Sequence, residues 1–469
     1  MILSRTRTIN QSLTRIVRNS INKTPSQPFQ TLRSTKPTNK KTRHERSRKP
    51  PPKLRKSIPF VTNIKEVHDP DEALDLFEEY QKLGFKHDYP SYSALIYKLA
   101  RSRNFKEVET LLDYIKNNNI RCQETLFVSL FQHYGKSNLS DKAIDLFHRI
   151  PSFNCTRTLQ SFNFLLNVLI EDNRLNDAKG IFTRSYKMGF RPNSVSFNII
   201  IKGHLQKGEW EEACKVFEEM LEREIQPTVV TYNSLIGFVC ENGDLGKGML
   251  LLEDMTKKGK YPNAATYALL MKGFCSVGKF DAAKKMMFDM EYRGCKPKLV
   301  NFGVLMSDLG KRGKINEAKS MLVEMKKRRF KPDVVTYNIL INYLCKEGRA
   351  NEAYKFLVEM QVEGCVPNCA TYRMMVDGFC GIGEFEKGLR VLSAMLASKH
   401  FPRLESFCCL VVGLCEEGKL SDACFVLEEM DKRKMRFHFE GWEGLVRGAC
   451  EEDKGTSELV SELVTLDGV

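Results

Sequence analysis

The chain repeats itself every 35 residues. VVTYNSLIGFVCENGDLGKGMLLLEDMTKKGKYPN at 229–263 returns as VVTYNILINYLCKEGRANEAYKFLVEMQVEGCVPN at 334–368. Cut into rows of 35 from Tyr89, the columns align without a gap through ten rows to His438. Column four is aromatic in every row, from Tyr92 to Phe407, and Trp442 continues it. Column fifteen is Gly in seven rows and Asn in two (Asn138, Asn173); column twenty is Ala in seven, column 27 Met in seven and column 34 Pro in seven. A chain with this much internal identity must use one structural unit many times.

Each row reads as two helices. Apolar residues at columns 4, 7, 8 and 11, such as Tyr232, Leu235, Ile236 and Val239, have helical spacing and predict a first helix over about columns 3–13. The Gly or Asn at column fifteen suits the left-handed residue that ends a helix. A second helix is predicted over columns 17–29, closed by Gly-x-x-Pro because proline cannot donate to a continuing helix. The small residue at column twenty lets the pair approach closely. One hairpin cannot bury its own apolar face, so the expected fold is all-α, a solenoid of stacked 35-residue helical hairpins. Residues 54–88 read as a degenerate preceding row, since DEALDLFEEYQKLGFKHD fits columns 18–35; residues 439–469 read as a partial eleventh row and cap.

The net charge of +15 belongs to the N-terminus. Residues 1–56 hold 16 Lys and Arg and one acid, Glu45, and the remainder carries 57 of each sign. In the first 20 residues Ile2, Leu3, Ile9, Leu13, Ile16 and Val17 share one helical side, with Arg15 and Arg18 opposite. Such an acid-free amphipathic segment predicts an organellar transit peptide, followed to residue 53 by a basic linker. The frequency of Arg so near the start favours the mitochondrion over the chloroplast; a nuclear-localising or RNA-binding arm, best represented by residues 40–56, is the alternative. No run reaches the ~18–20 apolar residues a membrane span needs.

A hairpin of 35 residues with VTYN at its front and Gly-x-x-Pro at its end resembles the pentatricopeptide repeat family, over residues 54 to about 450. Rows of uniform length resemble its P-type subclass. The resemblance implies a right-handed superhelix that binds single-stranded RNA, about one base per row, read by two or three side chains. It assigns discrimination to columns five and 35, base packing to column two and phosphate contact to column thirteen. The pairs are Ser93–Gln123, Val128–Thr158, Asn163–Asn193, Asn198–Thr228, Asn233–Asn263, Ala268–Lys298, Gly303–Asp333, Asn338–Asn368, Arg373–Arg403 and Cys408–His438.

An Asn amide donates and accepts, so it can meet a pyrimidine whether N3 or N3–H is presented. Family usage agrees, and rows three, four, five and eight are expected to take C or U. Asp333 accepts only, which favours G or U in row seven. The other rows are left unread, and with the first row at the RNA 5′ end the expected footprint is 5′-N-N-Y-Y-Y-N-K-Y-N-N-3′. Val195, Val230, Ala265, Val300 and Val335 supply the base-packing column; packing between helices is the alternative role for them. Arg101, Lys136, Lys311 and Lys346 are the expected phosphate contacts, whereas Glu171, Glu241 and Glu416 occupy the same column in other rows.

Other motifs dissolve into the period. Six cysteines (240, 275, 345, 380, 415 and 450) fall at column twelve, and no C-x-x-C occurs, so no metal site is expected. His438-Phe-Glu440 matches half of a deaminase signature but lacks P-C-x-x-C. GFCSVGKF (273–280) and GLCEEGKL (413–420) come within one residue of a phosphate loop, yet lack its hydroxyl and preceding strand. The expected function is therefore sequence-selective RNA binding by a monomer without cofactor or catalysis, acting on a transcript in stabilisation, processing, splicing or translation. A ribosome, nuclease or splicing partner would supply any chemistry. The alternative is a solenoid scaffold for a protein or peptide; an RNA binder should confine its acids to the second helices.

Overall fold

A computed structural model describes residues 59–67, 69–433 and 435. The sequence expectations for the transit peptide, His438, the His438-Phe-Glu440 motif, Cys450 and the closing partial row lie outside the described residues. The chain divides into two compact units, one comprising residues up to Leu235 with Lys257–Lys260, the other Ile236–Thr256 with everything from Tyr261 onward. Each is built of helical hairpins, and no strand occurs among the described residues.

The two helices of a row follow from its turns. Column fifteen has positive φ in all ten rows, from Arg103 (63°) through Asn138 and Asn173 to Gly418 (71°). There the chain reverses: in row eight Gly348 N–H reaches Cys345 O (3.0 Å) and Arg349 N–H reaches Leu344 O (2.8 Å), which satisfies carbonyls the helix leaves open. Column 31 repeats the device in nine rows, four of them with glycine and the rest with Asn119, Asn154, Glu224, Arg329 and Lys399. Second helices span columns 17–29 as expected, for example Ile315–Lys327 and Ala350–Val362. Rows two and three are exceptions. Ser140–Arg149 gives way to a 3-10 turn at Ile150–Phe153, where Pro151 lacks the N–H the helix needs. Leu175–Thr183 stops early, with Arg184 Nε competing for the Gly180 carbonyl (3.0 Å).

First helices begin two columns earlier than expected, at column one, as in Ser194–Gln206, Ala264–Ser276 and Val334–Lys346. The reason is a cap that apolar spacing does not register. The column-35 residue of the preceding row stands at the N-cap in extended backbone, and Asn193, Asn263, Asp333 and Asn368 each accept the N–H of the residue three positions on.

Column four forms the spine of the core. Phe127, Phe162, Phe197, Tyr232, Phe302, Tyr337 and Phe407 are fully buried. Alanines at column twenty, such as Ala143, Ala213 and Ala353, are buried beside them. In row nine the small residue is Gly388, whose Cβ would lie 2.9 Å from Leu410 Cδ2. Second helices are tied row to row by ions: Arg149 reaches Glu109 and Asp113 (2.9 Å each), Arg328 reaches Glu291 (2.8 Å), and Lys319 and Lys326 pair with Glu352 and Glu359. The ten second helices carry 25 acidic residues against seven on the ten first helices. Acids are thus segregated to one layer of the hairpins. No described helix is long and apolar enough to cross a membrane.

Candidate nucleic-acid interface

The N-terminal end of each first helix brings four columns together. Column two is exposed although apolar: Val195, Val230, Val300 and Val335 are 49%, 60%, 49% and 63% exposed, and Ala265 is exposed as well. Apolar side chains repeated so openly at one helical position serve no core. Column five (Ser93, Asn163, Asn198, Asn233, Gly303, Asn338) is half-buried, and column 35 (Gln123, Asn193, Asn263, Asn368) lies in the open.

Column three, which sequence reasoning passed over, links the two discriminating columns. Ser196, Thr231 and Thr371 are fully buried. Ser196 Oγ donates to Asn163 Oδ1 (2.6 Å) and accepts the Asn193 N–H (3.2 Å). Thr231 Oγ1 donates to Asn198 Oδ1 (2.6 Å) and accepts the Thr228 N–H (2.9 Å). Thr371 Oγ1 donates to Asn338 Oδ1 (2.7 Å) and accepts the Asn368 N–H (3.2 Å). The amides were expected to offer either end to a base; in these rows Oδ1 is already engaged, and Nδ2 is the end left to donate. The sequence signal was available as Asn-x-x-Ser or Asn-x-x-Thr at 193–196, 263–266 and 368–371, a capping-box spacing.

Row seven differs. Gly303 leaves a hollow of about 830 Å³ bordered by Val300, Val335, Asp333, Lys272 and Lys311. Asp333 Oδ1 accepts from Thr336 N–H (2.8 Å) and Oγ1 (2.7 Å), so its carboxylate is held at the rim. Lys272, also absent from the sequence expectation, pairs with Glu241 (3.0 Å) and so neutralises an acid at column thirteen. Of the expected phosphate contacts, Arg101, Lys136, Lys311 and Lys346 all sit exposed at the C-terminal ends of first helices. A helix dipole favours cations there irrespective of any ligand.

Row one is not assembled in this way. Ser93 Oγ turns back to the Pro90 carbonyl (3.0 Å), Gln123 makes no side-chain cap, and Leu126 stands where other rows carry the hydroxyl. Thr158 caps its own helix through Gln160 N–H (3.0 Å) and donates to Glu124 (2.8 Å). Arg373 is spent on the Phe401 carbonyl (2.7 Å). Three of the column-twelve thiols are held neutral by burial, which pushes Cys240 to about 11 and Cys275 and Cys345 to about 12. No group of three His, Cys, Asp or Glu side chains among the described residues could hold a metal ion.

Models of the PPR repeat family match residues 192–238, 227–276, 297–342 and 332–381, and the PPR repeat matches 90–120, 125–155, 265–295, 370–400 and 405–435. Together they cover well over half the chain. It belongs to the pentatricopeptide repeat family. Among relatives, a mitochondrial pentatricopeptide repeat-containing protein of Arabidopsis thaliana is 56% identical over 167 residues, 36% of each chain. A second mitochondrial pentatricopeptide repeat protein of that plant is 35% identical over 139 residues, 29% of this chain and 26% of its own. The matches thus span about a third or less of these relatives. The crystal structure of pentatricopeptide repeat protein PPR10 from maize is 20% identical with a TM-score of 0.44, covering 87% of this chain and 68% of its own. PPR10 in complex with an 18-nt psaJ RNA element is 19% identical with a TM-score of 0.34, covering 86% and 72%.

Proposed function

We propose that this pentatricopeptide repeat chain binds single-stranded RNA selectively, one base per row, through the edge formed by columns two, five and 35. The observation that carries the reading is the exposed valine beside a half-buried amide, recurring at the same register on the first helices of rows four, five and eight. Apolar side chains pack against base faces and amides meet base edges. Acids gathered on the second helices leave the first-helix layer near neutral, with eight basic residues against seven acids. An RNA backbone can approach that layer without strong repulsion.

In this reading rows three, four, five and eight take C or U and row seven G or U. The chain acts by occupancy, without cofactor or chemistry of its own, as a monomer on an organellar transcript. Residues 1–53 are the transit peptide and linker, 54–88 a degenerate leading row, 89–438 the reading rows of the P-type subclass, and 439–469 the closing part. The mitochondrial names of the two relatives support that compartment. Stabilisation, processing, splicing and translation are all served by such occupancy, with a ribosome, nuclease or splicing partner acting alongside.

Selection from a random single-stranded RNA pool at physiological salt, with Asn233→Ala beside the parent, tests this. Enrichment of YYY-N-K-Y, relaxed at its third Y in the variant, is the expected result. Absence of RNA binding would reject the proposal and leave a protein or peptide as the ligand.

A further inference from the structure

We infer that the buried column-three hydroxyls Ser196, Thr231 and Thr371 set base selectivity by fixing which end of the preceding row's Asn amide faces the ligand. The inference rests on the base-reading function proposed above, and assigns these three side chains as positioning residues rather than contacts.

The direction of each hydrogen bond follows from the donor that cannot be reversed. The main-chain N–H of Asn368 can only donate, and it points at Thr371 Oγ1 (3.2 Å). Of the two acceptors within that hydroxyl's reach, Asn338 Oδ1 (2.7 Å) is nearer than Asn368 Oδ1 (3.0 Å) and takes its hydrogen. Swapping the amide ends would turn Nδ2 toward the hydroxyl and forfeit that shorter bond. The same chain runs from Asn193 N–H through Ser196 to Asn163, and from Thr228 N–H through Thr231 to Asn198. All three hydroxyls are inaccessible to water, so nothing in solution competes for them. In two rows Nδ2 leans on the column-35 side chain, Asn198 to Thr228 Oγ1 (3.3 Å) and Asn338 to Asn368 Oδ1 (3.4 Å). Its second hydrogen is available to a ligand.

The chemistry this selects is specific. Cytosine and uracil share a carbonyl at C2, which accepts from Nδ2. Adenine has only C2–H there, and guanine has an amino group that would meet another donor. An amide free to turn over would instead present Oδ1 and accept from the guanine amino group. Selectivity against guanine therefore depends on a residue that touches no base.

The test uses the full chain, ten-nucleotide RNAs of the expected footprint with C, U, A or G at the eighth position, and the variants Thr371→Val and Thr371→Ser. The expected result is a fall of about tenfold in the preference for C over G with Thr371→Val, the factor one oriented hydrogen bond supplies. Preference at positions three and four should be unchanged, and Thr371→Ser should behave as the parent. Ser196→Ala repeats the test at position three. If Thr371→Val keeps the parent's preference at position eight, the positioning role is overturned while base reading stands. If the parent itself shows no preference at any position, base reading fails and takes this inference with it.

Discussion

At the scale of single residues, one side chain at column 35 does two jobs, and Asp333 separates them. Its Oδ1 caps the helix Val334–Lys346 through Thr336, while its carboxylate borders the hollow that Gly303 leaves. Asp333→Asn keeps an acceptor for the cap but adds a donor at the rim. We expect the preference for G or U at the seventh base to be lost in a selection experiment, with stability changed by no more than ~0.5 kcal/mol in denaturant titration. Thiols offer an independent check. Cys409 is the exposed one among the described cysteines, and a hydrogen bond from Cys380 holds it down at about 7. Iodoacetamide near neutral pH should label Cys409 well before Cys275 or Cys345, as read by mass spectrometry of peptides. The amides and the exposed valines could be named from the sequence because the family resemblance gives their columns. Column three could not, because a buried Ser or Thr in one sequence looks like packing until its hydrogen is traced.

At the scale of the helical element, turns set the register more than propensity does. Lys399 (φ 56°) and Arg329 (φ 60°) occupy the left-handed position that other rows give to glycine. Lys399→Gly and Arg329→Gly should each stabilise the chain by ~0.5–1 kcal/mol, since a side chain there costs about 1–2 kcal/mol before the entropy of glycine is subtracted. Thermal unfolding of the single variants measures this. Close approach between helices makes the opposite case: a Cβ at Gly413 would sit 2.1 Å from Phe385 Cε1. Gly413→Ala should cost about 1–3 kcal/mol, through overpacking. The two-helix row was legible because aromatic and small residues recur with the period, and the second helices lie where that pattern puts them. The starts of the first helices were not, since an N-cap is polar and leaves no trace in apolar spacing. The early stops in rows two and three escaped as well, because a uniform row length hides a local Pro151 or a competing Arg184 side chain.

At the scale of the whole molecule, charge placement governs how RNA would be held. Excess positive charge lies in residues 1–56, and the ten first helices carry only eight cations against seven acids. With Arg101, Lys136, Lys311 and Lys346 as phosphate contacts, log K against log salt for residues 57–469 should have a slope of about −3, at ~0.7 per contact. Filter binding across a salt series measures it, and a slope near −8 would show that further cations take part. The shared column-35 residue also decides how such a protein can be recombined. A row boundary drawn after Asn368 severs the reader from the Thr371 that completes it, and from the helix it caps. A transplanted segment cut there would inherit a stranger's hydroxyl. Crossovers placed after column three, between Thr371 and Tyr372, would carry Asn338, Asn368 and Thr371 as one heritable word, so the natural unit of exchange is offset from the visible repeat by three residues.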